Sequence, residues 1–240
     1  MLNKIFNHLI KYFQKLEIDK QLLLLKPYKQ TIRDKQMYIP KYYLTENRTE
    51  ILAFMRKYSF ATIVSATDNK PVASHLPFVV EEVGEDIMLH AHFSKANEQW
   101  KQISNNEVLV IFTEPHAYIS PTHYDSYQSV PTWNYLSVHA YGKAEIITDS
   151  EKGFRDLEQM INIHEQSYLA QWKSLPDEYK KAMYNGIVPF QIKVTDLQAK
   201  KKLSQNKKEA ERERIISTLE KSADTNEQQI AAYMKQHESK

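Results

Sequence analysis

The sequence predicts a mainly β fold, a closed or partly closed antiparallel barrel with helices at its periphery. Three observations carry that reading. Short apolar, β-branched runs recur at roughly ten-residue spacing through the middle of the chain. Turn-forming clusters separate them. After residue 36, helical periodicity of more than one turn is confined to a short stretch before the first run, a longer one before the last, and the tail.

The elements follow in order. Residues 1–36 place Leu2, Ile5, Phe6, Leu9, Phe13 and Leu16 at steps of three and four, and hold eight Lys/Arg against three acids. Three readings of this basic amphipathic extension stand: a membrane-surface or partner helix, a helix packed on its own domain, or translated sequence upstream of a body starting at Met37. The run Leu22 to Leu25 stops at Pro27, too short to span a bilayer. Asn47, with Glu50 three residues on, predicts an N-cap and a helix over 47–58. Residues 60–66 read as a strand, with a turn at Asp68-Asn69-Lys70-Pro71. A second strand over 72–80 is broken by Pro77, and 87–92 is a third. Asn97 to Ile103 reads as one helical turn carrying Trp100. Strands are expected at 107–112, 115–120, 134–147 and 187–195, with a polar, aromatic loop over 121–132 and helix across 149–185. From 206 the chain is charged and helical, with Ile215, Ile216, Leu219, Ile230 and Met234 as its apolar stripe. The expected division is an extension (1–36), a barrel domain (37–205) and a helical tail (206–240).

Composition excludes much chemistry. Apolar residues at 42% and charged residues at 26% suit a folded chain. Cysteine is absent, so thiolate catalysis, disulfides, iron–sulfur clusters and Cys-based zinc sites are excluded. The four glycines (Gly84, Gly142, Gly153, Gly186) lie far apart, which forbids a P-loop, a G-x-G-x-x-G turn and a G-x-S-x-G elbow. Any phosphate must be held by side chains and isolated backbone amides. With no long apolar run and no secretory pattern, the expectation is a cytoplasmic protein without integral membrane association. The body after residue 36 is slightly acidic and offers no large footprint for duplex DNA. The basic run 200–214 reads as the start of a solvated helix, and is the one stretch suited to a DNA contact. Nine histidines lack a spaced ligand signature and read as hydrogen-bonding groups of a polar pocket or of the surface, so no metal is expected.

Polar and aromatic side chains inside apolar strands are more informative. Ser74-His75-Leu76-Pro77 lies mid-strand; Ser94, Lys95, Asn97, Gln99 and Trp100 follow a strand into a short helix; Trp133, Asn134 and Tyr135 open another. Polar groups inside strands cost stability unless partnered, so their clustering points to a lined pocket, although aromatic strands also build plain core. Ser94 and Lys95 suit a phosphate, and Trp100, Trp133 and Tyr135 a flat ring.

Taken in order, Met37 to Tyr43, Ser74 to Pro77, Asn97 to Trp100, Pro115-His116-Ala117-Tyr118-Ile119-Ser120, Val130 to Tyr135, and Lys202 to Asn206 closely resemble the PaiB family of FMN-binding negative transcriptional regulators. The resemblance covers about residues 37–235. It implies an FMN-binding split β-barrel, similar to pyridoxamine-phosphate-oxidase-like proteins, with C-terminal helices and a homodimer holding flavin at the subunit interface. Carried over by position, Ser74, His75, Leu76 and Pro77 run along the flavin ring. Ser94, Lys95 and Asn97 face the phosphate and ribityl chain, with Trp100 beside them. Trp133, Asn134, Lys202, Ser204, Gln205 and Asn206 close the site. The alternative function is a flavin-dependent oxidoreductase or reductase using reduced nicotinamide, with His75 and His116 as acid–base candidates.

Overall fold

Seven strands form one wholly antiparallel sheet in the order β2-β1-β5-β6-β7-β4-β3. They are β1 (Phe60–Thr67), β2 (Lys70–Pro77), β3 (Val79–Val83), β4 (Asp86–Ser94), β5 (Glu107–Ile119), β6 (Thr132–Ile146) and β7 (Ile187–Lys202). This computed structural model describes residues 37–104 and 106–238; the expected N-terminal amphipathic helix lies outside them. A flat sheet of this order would hold its outermost strands about 29 Å apart, six spacings of about 4.8 Å. Yet those strands, β2 and β3, are joined through Phe78 alone, and two residues of chain reach only about 7 Å. The sheet therefore curls until its ends meet. Among the described residues no ladder crosses the seam, so the barrel is split there. Phe78 fills the inside of the junction, 2% exposed, with its ring edge-on to Phe112 and Phe190.

Local sequence explains the two tight hairpins. Asp68 and Asn69 sit at φ 52° and 58° between paired Thr67 and Lys70, the left-handed pair that a two-residue turn between twisted strands needs. Gly84 takes φ 63° between Val83 and Asp86. Helix α1 (Arg48–Lys57) starts where expected, with the Glu50 amide donating to Asn47 Oδ1 at 3.1 Å. Helix α2 (Trp100–Ile103) is the anticipated single turn.

Three expectations need correction. The strands foreseen at 107–112 and 115–120 are one strand, β5, because Pro115 falls at a register shift between Thr113 and His116, where the ladder does not require its missing N–H. The helix foreseen across 149–185 is three: α3 (Ser150–His164), α4 (Leu169–Ser174) and α5 (Asp177–Tyr184). Glu165 leaves the helical conformation (φ −154°, ψ 76°) and ends the first; Pro176 precedes the third. The last strand continues to Lys202 rather than stopping at 195, because β6 supplies a ladder as far as Tyr135↔Lys202. The basic run 200–214 is therefore a strand end, a turn and the first part of α6 (Glu209–Leu219).

The core is continuous through the barrel and the C-terminal helices α6 and α7 (Thr225–Glu238). Ile215, Ile216, Leu219, Ile230, Ala231 and Met234 pack in one cluster with Phe112, Phe190 and Ile119. Each large side chain so buried contributes about 1.5–3 kcal/mol, so these helices belong to the barrel energetically. No described helix is long and apolar enough to cross a membrane.

Candidate functional site

Two groups of the expected site residues are assembled, and the register places them at different levels of the barrel. The first lies where β2 passes the β4–α2 junction. Gln99, 3% exposed, is its hub. Its amide nitrogen reaches the main-chain oxygen of Val72 at 3.0 Å and Ser65 Oγ at 3.2 Å, while its Oε1 accepts the Ser74 hydroxyl at 2.6 Å. Asn97 donates to Ser74 Oγ at 2.9 Å and accepts from the Gln99 amide at 3.1 Å. This network ties edge strand β2 to the turn that follows β4. Trp100 is tied into the same turn by its indole N–H, which donates to the Lys95 carbonyl at 3.2 Å.

Within that frame Ser94 and Lys95 are exposed. The Lys95 amide is fixed on the Gly186 carbonyl at 2.8 Å. Its ammonium has no ion-pair partner among the described residues. An exposed hydroxyl and a free ammonium on a rigidly held turn are the donor set that a phosphate monoester requires. Along β2, His75 faces outward with its ring stacked near Phe60 (centroids 6.4 Å apart), while Leu76 packs on the core and Pro77 closes the strand.

The second group lies at the far end of β5 and β6. Asn134 is fully buried and accepts the Ser204 hydroxyl at 3.1 Å. Ser204 holds φ 58° in the turn after β7, and Gln205 fastens that turn by accepting from the Leu203 amide and donating to the Lys201 carbonyl. Lys202 donates to Thr132 Oγ1 and to the Trp133 carbonyl. Burial, then the neighbouring Lys200 charge, pushes its ammonium below the usual lysine range. Asn206 accepts from the Tyr43 hydroxyl at 3.3 Å. Trp133 is 52% exposed, with the rings of Tyr118 and His116 each 5.8 Å away.

Ser74 pairs with Ile63, which pairs with Val110, whereas Trp133 pairs with Tyr118. The groups are thus separated by about 26 Å of strand at ~3.3 Å per residue. Sequence reasoning noted Gln99 as one polar residue among several but missed it as the organiser, along with Ser65 and Tyr43. The signal available was a glutamine wedged between Asn97 and an anchoring tryptophan.

The basic run is committed internally. Lys200 donates to the Tyr38 carbonyl, Lys201 pairs with Glu50, Lys208 and Arg214 hold Asp125, Arg212 reaches the Leu203 carbonyl, and Lys207 lies over the Tyr124 ring. Arg214 and Lys208 hold the Asp125 carboxyl below the usual range. No group of three or more His, Asp or Glu side chains suited to a metal occurs among the described residues.

Comparison with known proteins supports the barrel and its motifs. A family model described as "Putative FMN-binding domain" matches residues 37–196. Protease synthase and sporulation protein PAI 2 of Bacillus subtilis is 39% identical over 201 residues, spanning 82% of this chain and 96% of that protein. An uncharacterized protein of Emericella nidulans is 28% identical over 187 residues, 62% of this chain and 74% of the relative. The flavocytochrome Anf3 from Azotobacter vinelandii superposes with a TM-score of 0.56 at 15% identity, covering 70% of this chain and 74% of that one. A FAD and heme binding protein from Mycobacterium smegmatis gives 0.51 at 16% identity, covering 67% and 73%. At such identities these two structures share the fold with this chain. With the split barrel, the ordered motifs and the match from residue 37 to 196 all in agreement, the chain belongs to the FMN-binding domain family that includes the PAI 2 protein of Bacillus subtilis.

Proposed function

We propose that the chain is an FMN-binding regulator of the PaiB type that works as a homodimer, with the flavin phosphate at Ser94 and Lys95. The observation that carries this reading is the free Lys95 ammonium beside Ser94, on a turn braced by buried Gln99 and its half-buried partners Ser74 and Asn97. The Ser94 hydroxyl and the Lys95 ammonium donate to the phosphate, and the edge of β2 from Ser74 to Pro77 supports the ring. Bound flavin supplies reversible two-electron chemistry. In this protein the surrounding groups bind and orient it. No titratable side chain belongs to the network, so no proton transfer is assigned to it.

The second group of residues enters through symmetry. Within one chain it lies a strand's length away, so we assign Trp133, Asn134 and Lys202–Asn206 to closing the site of a partner copy. The exposed Trp133, Tyr118 and His116 rings form a suitable face. The regulatory role rests on likeness to the PAI 2 protein, whose length this chain matches almost fully. Because the basic run is engaged internally, regulation through a partner protein or a small-molecule signal suits this geometry better than direct DNA contact through 200–214.

Absorbance of the purified full chain, followed by FMN titration, tests the cofactor site. Near-stoichiometric flavin is expected. Lys95→Ala and Ser94→Ala should each weaken FMN by about tenfold, ~1.4 kcal/mol, with the melting temperature of flavin-free protein unchanged. A colourless protein indifferent to FMN, or variants with parental affinity, would refute the placement.

A further inference from the structure

A cavity of about 310 Å³ opens between α1, α7 and the β6–β7 ladder. That volume suits a small molecule, and none of the expected flavin residues lines it. Ile51, Phe54, Leu136, Val138 and Ala199 make its walls apolar. Its charges are unbalanced. Lys57, Lys200 and Lys201 line it against one carboxylate, Glu50, which is already paired with Lys201. Lys57 is exposed and has no carboxylate partner among the described residues; its ammonium lies 4.9 Å from the Tyr58 ring and 5.3 Å from the Tyr233 ring. Burial, then the hydrogen bond it donates to Tyr58, pushes Tyr233 up to about 12, so its phenol stays neutral while its oxygen takes a hydrogen bond from Lys57. An apolar wall with, at its rim, an exposed ammonium that only neutral groups hold is the recognition chemistry of a small amphiphilic anion.

We propose that this cavity is a second ligand site, taking a small apolar carboxylate whose charged end meets Lys57 and whose body lies against Phe54, Leu136 and Val138. The proposal is independent of the flavin assignment. The floor of the cavity at Lys200 and Lys201 runs directly into Lys202, so an occupant would adjoin the segment assigned to flavin closure.

Isothermal titration of the full FMN-loaded chain with octanoate and phenylacetate, and with the neutral octanamide and phenylacetamide, tests it. The acids are expected to bind below millimolar concentration, with the amides about tenfold weaker or worse. Lys57→Gln should raise the dissociation constants of the acids about tenfold, and Ala232→Trp, which fills the mouth, should abolish binding. Lys57 is exposed, so its variant keeps the test valid even if the tryptophan perturbs folding; melting temperature and flavin stoichiometry monitor both. Absence of heat with the acids at several millimolar, equal binding of acids and amides, or an unchanged affinity in Lys57→Gln would overturn the proposal. So would loss of the dimer in Ala232→Trp with no heat from either acid, which would make the groove a contact between copies.

Discussion

Replacing Gln99 with leucine would take the side-chain donor from the Val72 carbonyl and the acceptor from the Ser74 hydroxyl, while Ser65 keeps its bond to Gln102. Each buried polar group left unsatisfied costs about 1–3 kcal/mol. For a chain of this size 1 kcal/mol is worth roughly 2–4 °C, so scanning calorimetry should show a fall of about 5–10 °C; a fall under about 2 °C would deny the network its structural role. Ser204 offers a finer test. Both Ser204→Ala and Ser204→Gly lose the hydrogen bond to Asn134, but only glycine accepts φ 58° freely. The alanine variant should be less stable than the glycine variant by about 1 kcal/mol in denaturant melts. For Gln99 the sequence offered only its place between Asn97 and Trp100, and for Ser204 it gave no sign of the bond to Asn134. A buried glutamine is recognised by its neighbours, and those of Gln99 come from β1 and β2, far earlier in the chain.

Elements set by local chemistry were readable, and those set by a partner strand were not. The Asn47 cap, the Asp68-Asn69 turn and the single turn at Trp100 depend on a handful of adjacent residues, and all three are present. The continuation of β7 through three lysines runs against β-propensity and depends on β6 lying beside it. Charge patterning alone reads that stretch as helix. The β6–β7 ladder also explains a glycine. A Cβ on Gly142 would stand 2.3 Å from the Lys193 carbonyl oxygen, beside the register shift at Tyr141. Gly142→Ala should therefore cost more than about 2 kcal/mol, seen as a lowered urea midpoint. In contrast Asn69→Gly, at a φ of 58°, should be neutral or stabilise by up to about 1 kcal/mol.

At the scale of the whole molecule, titration tests how the histidines are held. Burial keeps His92 and His139 below the ordinary imidazole range, and the Nδ1 of each is buried without a hydrogen-bond partner. The folded chain keeps them neutral, while the unfolded chain takes up protons near pH ~6.5. Their contribution to stability is complete above that value and is lost as pH falls through it toward the folded pKa. Melting temperature should thus drop between about pH 7.5 and about 5.5, and by less in His139→Gln. An identical drop in parent and variant would remove His139 from the account. Dimerisation is checked at the same scale. Trp133→Glu places a charge in the exposed ring cluster, and by sedimentation it should shift the chain toward monomer while weakening flavin; a variant that stays dimeric and flavin-loaded would exclude that face. The barrel was legible in the spacing of its strands and the flavin in its ordered motifs. That the expected site residues fall into two distant groups was not, because it follows from register, which only pairing reveals.

The seam at Phe78 also bears on how the chain finds this shape. The β1–β2 and β3–β4 hairpins form from neighbouring residues, but β4 pairs with β7, where Ser94 meets Ile187. That pairing closes a loop on the order of ninety residues, whose lost freedom must be met before any contact rewards it. The two hairpins are covalently joined at the seam and can assemble early as one unit, while β5, β6 and β7 stack as a second. Bringing β4 onto β7 then becomes the late, slow event. Pulse-labelled amides along that ladder should gain protection after those of the hairpin turns, and substitutions confined to it should act on the unfolding rate more than on the folding rate.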